Sequence, residues 1–280
     1  MNAEPFTLEI GGATLSGLEQ GEGLAVVFLH AGVCDKRMWL DQMAVVAEQG
    51  WHAIAYDRRG YGDTTSVDEP FSHLDDLEAL LDEMDIHAAV LVGCSMGGGL
   101  GVDFALAYPG RVIGLVLMGT SVTGAPWSVT DEESAIEMAE EDAWERGDID
   151  LLNRVQAHEW LDGPRSPSGR VGGAARALFL DMNALALSKP ELTLEEPLPD
   201  AWSRIETVSA PTLLIVGDED FTALVDRHET LSETMPNAFG VVLEGAAHIP
   251  SIEKPGLVNS VLLQFLDAFS GEESDAETDD

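Results

Sequence analysis

At 280 residues, 45% of them hydrophobic, the chain can bury one large core, alone or with a modest accessory lobe. Its 14 Lys and Arg stand against 51 Asp and Glu, a formal net charge of −37. Such a field repels phosphate backbones and anionic lipid, which excludes nucleic acid and membrane surfaces as expected partners.

In chain order, "FTLEI" (6–10) and "ATLSGL" (13–18), joined by Gly11-Gly12, predict a β-hairpin. "LAVVFLH" (24–30) is a continuous apolar strand, the kind buried on both faces of a parallel sheet. "MWLDQMAVVAEQG" (38–50) predicts a helix closed by Gly50, and "WHAIAYD" (51–57) the next strand. "HLDDLEALLDEMD" (73–85) carries Leu74, Leu77, Leu80, Leu81 and Met84 at helical spacing. "AAVLVG" (88–93) is a further buried strand, "MGGGLGVDFALAYP" (96–109) a helix and "VIGLVLMG" (112–119) a strand. The alternation then lapses between about 122 and 208, where acidic helical patterns flank "DGPRSPSGR" (162–170). An inserted helical lobe accounts for this better than a structureless loop of that length. "PTLLIVG" (211–217), "TALVDRHETLSETM" (222–235), "FGVVLEG" (239–245) and "GLVNSVLLQFLDAF" (256–269) restore the strand–helix alternation. The expected fold is therefore α/β, a mostly parallel, doubly wound sheet with an inserted helical cap. Its expected parts are a core over 1–121 and 209–270, a cap over 122–208 and an acidic, disordered tail over 271–280.

The stretch "LVGCSMGGG" (91–99) places Ser95 between Gly93 and Gly97, with a strand before and a helix after. In such a strand–turn–helix the serine is held in a strained conformation with its hydroxyl above the sheet, and the flanking glycines let the backbone pass. Ser95 is the expected nucleophile. A serine hydroxyl needs a base to take its proton. Of the seven histidines, His248 in "EGAAHIP" follows the last strand, at the end of the sheet where α/β proteins gather their active groups. His30 ends a strand and is expected to orient or support. His52 and His87 belong in or beside strands, and His73, His158 and His228 on helices are expected to be solvated. The imidazole in turn needs a carboxylate, and Asp218, Glu219 and Asp220 all follow the strand "PTLLIVG". No acid closely follows the preceding strand, "LVLMGTSVTG".

At these residues the chain resembles the α/β-hydrolase family over nearly its whole length. The likeness is carried by "LHAGVCDKRMW" (29–39), "AYDRRGYGDT" (55–64), "VGCSMGGG" (92–99), "PTLLIVGDED" (211–220) and "GAAHIPSIEKP" (245–255). It departs from the family at His30-Ala31, where His-Gly is usual. The resemblance implies the order serine, acid, histidine, with Asp220 as the acid and Asp218 the alternative. It also implies an oxyanion hole from the backbone N–H of Met96 and from the "HAGV" turn, with Gly32 as donor and Val33 the alternative. Asp57, Arg58 and Arg59 are expected to fix their loop, Cys94 to be a buried filler, and the cap tryptophans to line a pocket or pack the cap. Among subgroups the likeness is to enol-lactone hydrolases, small esterases and cofactor-free haloperoxidase-like perhydrolases.

The expected activity is cofactor- and metal-independent cleavage of a small carboxylic ester or lactone through an acyl-enzyme. Perhydrolase chemistry at the same triad, or a non-catalytic ligand-binding protein on the same scaffold, are the alternatives. The apolar runs fall short of the roughly 18 residues of a membrane span. "MNAEPFTLEI" (1–10) lacks a basic-then-apolar signal segment, and Cys34 and Cys94 make no disulfide framework. A cytoplasmic protein is expected. Acidic and poor in lysine, with Lys36, Lys189 and Lys254 alone, the chain also resembles the proteins of salt-accumulating halophiles.

Overall fold

The computed structural model describes residues 2–269. The opening hairpin, β1 (Glu4–Ile10) and β2 (Ala13–Gln20), is antiparallel with Ile10 opposite Ala13. It leads into β3 (Ala25–Leu29), α1 (Leu40–Glu48), β4 (His52–Tyr56) and the two-residue β5 (Thr65–Ser66). Then follow α2 (His73–Glu83), β6 (Ala89–Cys94), α3 (Met96–Ala107) and β7 (Val112–Met118). Three helices, α4 (Ser134–Glu145), α5 (Ile149–Gln156) and α6 (Gly173–Leu187), intervene before β8 (Thr212–Gly217). The chain closes with α7 (Thr222–Thr234), β9 (Ala238–Leu243), α8 (Pro250–Glu253) and α9 (Pro255–Leu266).

The strands form one sheet in the order β1-β2-β4-β3-β6-β7-β8-β9, with β5 paired to β2. From β4 to β9 every pairing is parallel, and the hairpin end is antiparallel. The inner parallel strands β3, β6, β7 and β8 are buried almost throughout because both faces are covered, whereas the edge strand β9 leaves Phe239 and Val242 exposed. Alternate side chains of β3 divide between two cores: Val26 and Phe28 pack with α1 and α9 through Met43, Val46, Leu262 and Phe265. Val27 and Leu29 pack with α2 and α3 through Leu77, Leu80, Leu81 and Phe104. Ser72 starts α2, its hydroxyl accepting the N–H groups of Leu74 and Asp75.

This order places the C-terminal ends of β3, β6, β7, β8 and β9 side by side along one edge. These ends lead into 30–35 after β3, Ser95 after β6, the longer segment 119–133 opened by Gly119 after β7, 218–221 after β8 and 244–249 after β9. Ligands of open α/β sheets bind at this edge. Among the described residues no helix is long and apolar enough to cross a membrane. The acidic segment 271–280 lies outside the described residues.

Candidate active site

Ser95 is the residue of the turn between β6 and α3 and has φ 53° and ψ −119°, one of two non-glycine residues with positive φ among those described. Backbone of this kind costs about 1–3 kcal/mol and persists only where surrounding contacts over-determine it. Here Ser95 N–H donates to the Met118 carbonyl at 2.8 Å, and the Ser95 carbonyl accepts Gly99 N–H at 2.9 Å and Ser121 N–H at 3.2 Å. The flanking glycines are sterically required. A Cβ at Gly93 would lie 2.4 Å from the Gly97 carbonyl oxygen, and one at Gly97 would lie 2.1 Å from that of Leu29.

Three residues past β8, Asp220 is fully buried, and five past β9 His248 is 2% exposed. His248 Nδ1 and Asp220 Oδ2 are 2.8 Å apart, and Asp220 Oδ1 accepts the N–H of Phe221 at 2.8 Å. An ionised carboxylate only accepts, so the proton of a neutral imidazole sits on Nδ1 and the Nε2 lone pair is left free. The neighbouring acids are used otherwise: Asp218 Oδ1 accepts Gly245 N–H at 2.6 Å, and Glu219 accepts the Ser166 hydroxyl at 2.7 Å. Of the three acids after β8, Asp220 is the one brought to His248. The Cys94 thiol, fully buried, donates to the His248 carbonyl at 3.4 Å and so ties the histidine loop to the base of the Ser95 turn. Burial pushes that thiol's pKa far up, and it stays protonated. The described residues include no hydrogen bond between the Ser95 hydroxyl and His248.

Sequence reasoning missed Gly119. Neighbouring strands lie about 4.8 Å apart, so a carboxylate after β8 reaches a serine after β6 only across the end of β7. Gly119 is that end, at φ +48°, and a Cβ there would lie 2.8 Å from His248 Nδ1 and 3.0 Å from Asp220 Oδ2. Its sequence signal, a glycine closing an apolar strand, is indistinguishable from an ordinary turn.

The loop after β3 turns tightly, Cys34 N–H donating to the Ala31 carbonyl at 3.1 Å, with Gly32 and Val33 at its tip. Among the described residues none of the N–H groups of Gly32, Val33 and Met96 is bonded to a backbone carbonyl. Beneath the turn His30 is fully buried. Its Nδ1 lies 2.8 Å from the Ala31 carbonyl and its Nε2 accepts Arg58 N–H at 3.1 Å. Burial, with Arg58 adding, holds this imidazole well below its usual pKa, hence neutral. Lys36 donates through Nζ to Asp57 at 2.5 Å and to Asp63 at 2.8 Å. Arg59 makes a two-pronged pair with Asp76, at 2.8 and 2.9 Å. The "YDRRGYG" residues thus brace the loop. A cavity of about 360 Å³ opens over the turn, lined by Gly32, Met96, Tyr61, Phe71 and Trp144 among others. That volume lies within the roughly 300–1,000 Å³ of small-molecule sites. Ser95 is half-buried, and neither it nor His248 lines this cavity, although the adjacent Met96 does.

The cap, which supplies Trp144 to this cavity, also reaches the histidine. Trp160 stands 4.7 Å from the His248 ring and 5.1 Å from Phe221, and Trp127 is 5.2 Å from Phe221. His73 corrects the expectation of a solvated helix histidine: it is 7% exposed and lines the cavity, because the first turn of α2 faces inward beneath Phe71. Burial lowers its pKa to about 3. His158 and His228 are half-buried, the former 2.7 Å from the Ser166 carbonyl. No group of three or more His, Cys, Asp or Glu among the described residues is arranged to hold a metal ion.

The sequence matches the alpha/beta hydrolase family over residues 26–261. The chain belongs to the α/β-hydrolase family. Among curated relatives, this hydrolase is 27% identical to a putative 2-succinyl-6-hydroxy-2,4-cyclohexadiene-1-carboxylate synthase of Bacillus subtilis, over 86% of the chain and 90% of the relative. It is 26% identical to the non-heme chloroperoxidase CPO-A1 of Kitasatospora aureofaciens, over 88% of the chain and 93% of the relative. Among solved structures it is similar to Est816, described as an N-acyl homoserine lactone degrading enzyme. The TM-score is 0.71 at 26% identity, covering 92% of this chain and 99% of that one.

Proposed function

We propose that this hydrolase cleaves a small carboxylic ester or lactone through an acyl-enzyme on Ser95, with His248 as general base and acid and Asp220 as its orienting carboxylate. The observation that carries the reading is the buried 2.8 Å contact between His248 Nδ1 and Asp220, held beside a strained serine turn. It leaves Nε2 free to take the Ser95 proton as Oγ attacks the carbonyl. Serine and histidine need not be bonded before substrate arrives, since catalytic hydrogen bonds commonly tighten only when substrate binds. The developing oxyanion is met by the N–H of Met96, at the positive end of α3, and by that of Gly32. Loss of one such donor typically lowers the rate about 10²–10³-fold. His248 then returns the proton to the departing alcohol, and water, activated the same way, releases the acid. The likeness to a lactone-degrading enzyme supports the substrate class.

The expected result is ester turnover at high salt that Ser95→Ala abolishes, with fluorophosphonate labelling of Ser95 in the folded wild type. Turnover undiminished in Ser95→Ala would refute the assignment. The chloroperoxidase relative favours a second reading, in which hydrogen peroxide replaces water at the acyl-enzyme to give a peracid. Halogenation that requires both peroxide and a carboxylic acid distinguishes it from plain hydrolysis.

A further inference from the structure

One segment of the cap touches both loops on which the proposed acid and base are carried. The Asp162 carboxylate, fully buried, accepts Gly169 N–H at 2.7 Å and Val171 N–H at 2.8 Å, and bonds Arg176. This closes 162–171 into a loop from which two arginines leave in different directions. Arg165 donates through Nη2 to the carbonyls of Asp218 and Asp220, at 3.0 and 2.9 Å. Behind it lies Glu133, fully buried, which accepts the N–H and hydroxyl of Thr222 at 2.7 and 2.9 Å. Arg170 donates through Nη1 to the Gly245 carbonyl at 2.9 Å and to Glu253 at 2.5 Å. The second oxygen of Glu253 accepts the N–H of Ala247, the residue before His248, at 2.8 Å.

We propose that Arg165 and Arg170 are positioning residues that clamp the acid loop and the histidine loop into one unit, so that the cap sets the geometry of the Asp220–His248 pair. The role rests on the serine-hydrolase reading above. The targets on these loops are the main-chain carbonyls of Asp218, Asp220 and Gly245, with Glu253 linking Arg170 to the N–H of Ala247, so what is fixed is the path of each loop. Arginine suits position 170 because its rigid planar head is a fixed fan of donors that an ammonium on a flexible stem does not reproduce. It also donates through Nε to the Asp162 carbonyl at 2.6 Å and through Nη2 to that of Leu161 at 3.3 Å. Misplacement of a catalytic group by about 1 Å can lower a rate about a hundredfold, so loosening either loop is expressed in turnover rather than in substrate affinity.

The test compares Arg165→Ala, Arg170→Ala and Arg170→Lys with Asp181→Asn. The last removes a different tie between cap and core, the 2.6 Å contact of Arg37 with an aspartate 69% exposed. All are measured at molar KCl for hydrogen–deuterium exchange and for kcat and KM on a short-chain p-nitrophenyl ester. Arg165, 31% exposed, keeps the test open if Arg170→Ala fails to fold. The expected result is faster exchange over 245–248 in both Arg170 variants and over 218–220 in Arg165→Ala. In each, kcat falls about tenfold or more while KM stays close to wild type, and Asp181→Asn changes neither. Wild-type exchange in both segments overturns the clamp whatever the activity. Faster exchange with unchanged kcat, or full restoration of kcat by Arg170→Lys, overturns it as well. A wild type that fails to label at Ser95 sinks the serine reading instead, while exchange still decides whether the arginines hold the loops.

Discussion

Ser95 and His248 are legible as candidates because each is tied to a local signature, a glycine-flanked turn or a polar residue just past an apolar strand; the acid is legible only as one of Asp218, Glu219 and Asp220, with the family resemblance pointing to Asp220. Gly119, Arg165 and Arg170 are not. Their roles are set by what another strand or the cap brings against them, and an arginine aimed at main-chain carbonyls leaves no periodic trace. His73 was misleading for the same reason, since helical spacing says nothing about which way a first turn faces. Gly119 gives the sharpest test at this scale. Gly119→Ala must adopt left-handed backbone, at roughly 1–2 kcal/mol, and push a methyl against the histidine–aspartate pair. The expected outcome is a modest loss in Tm with a much larger loss in kcat. Near-normal kcat in the folded variant would show that the pair tolerates displacement.

The buried parallel strands were legible as continuous apolar runs, and the helical pattern that follows "DGPRSPSGR" is realised as α6. The two-residue β5, the helix α5 and the wide π-type turn Ala157–Asp162 were not, because pairing and packing rather than periodicity create them. That turn carries Trp160 toward His248 and also Glu159, 1% exposed. Burial, reinforced by Glu140 and Glu137, pushes the Glu159 carboxyl from 4.5 up to about 9. Because its folded value is the higher one, folding favours the protonated form. Its contribution is complete below 4.5 and is lost progressively as pH rises to about 9. Glu159→Gln imitates the protonated state. The Tm advantage of this variant over wild type should therefore widen between those limits, at about 2–4 °C per kcal/mol for a domain of roughly this size. An advantage that stays constant with pH would mean that Glu159 is ionised in the folded cap.

For the whole molecule the net charge of −37 dominates. Self-repulsion on that scale opposes compaction, and it is screened only when the Debye length shrinks from about 10 Å at 0.1 M salt to about 3 Å at 1 M. Tm should rise steeply with KCl over that range, and a flat dependence would count against adaptation to salt. Charge balance was legible from composition alone, but where the cations lie was not. Lys36, Arg58, Arg59 and Arg227 are buried, so part of the small stock of positive charge braces loops and strand ends rather than meeting solvent. Asp35, Asp57, Asp76, Asp103, Glu133, Glu159, Asp162 and Asp220 are buried as well, so the surface a diffusing molecule meets stays strongly anionic, as the composition suggests. In dilute buffer a carboxylate-bearing ester climbs an electrostatic hill to reach the cavity mouth while a neutral ester does not, and salt levels that hill without touching the chemistry inside.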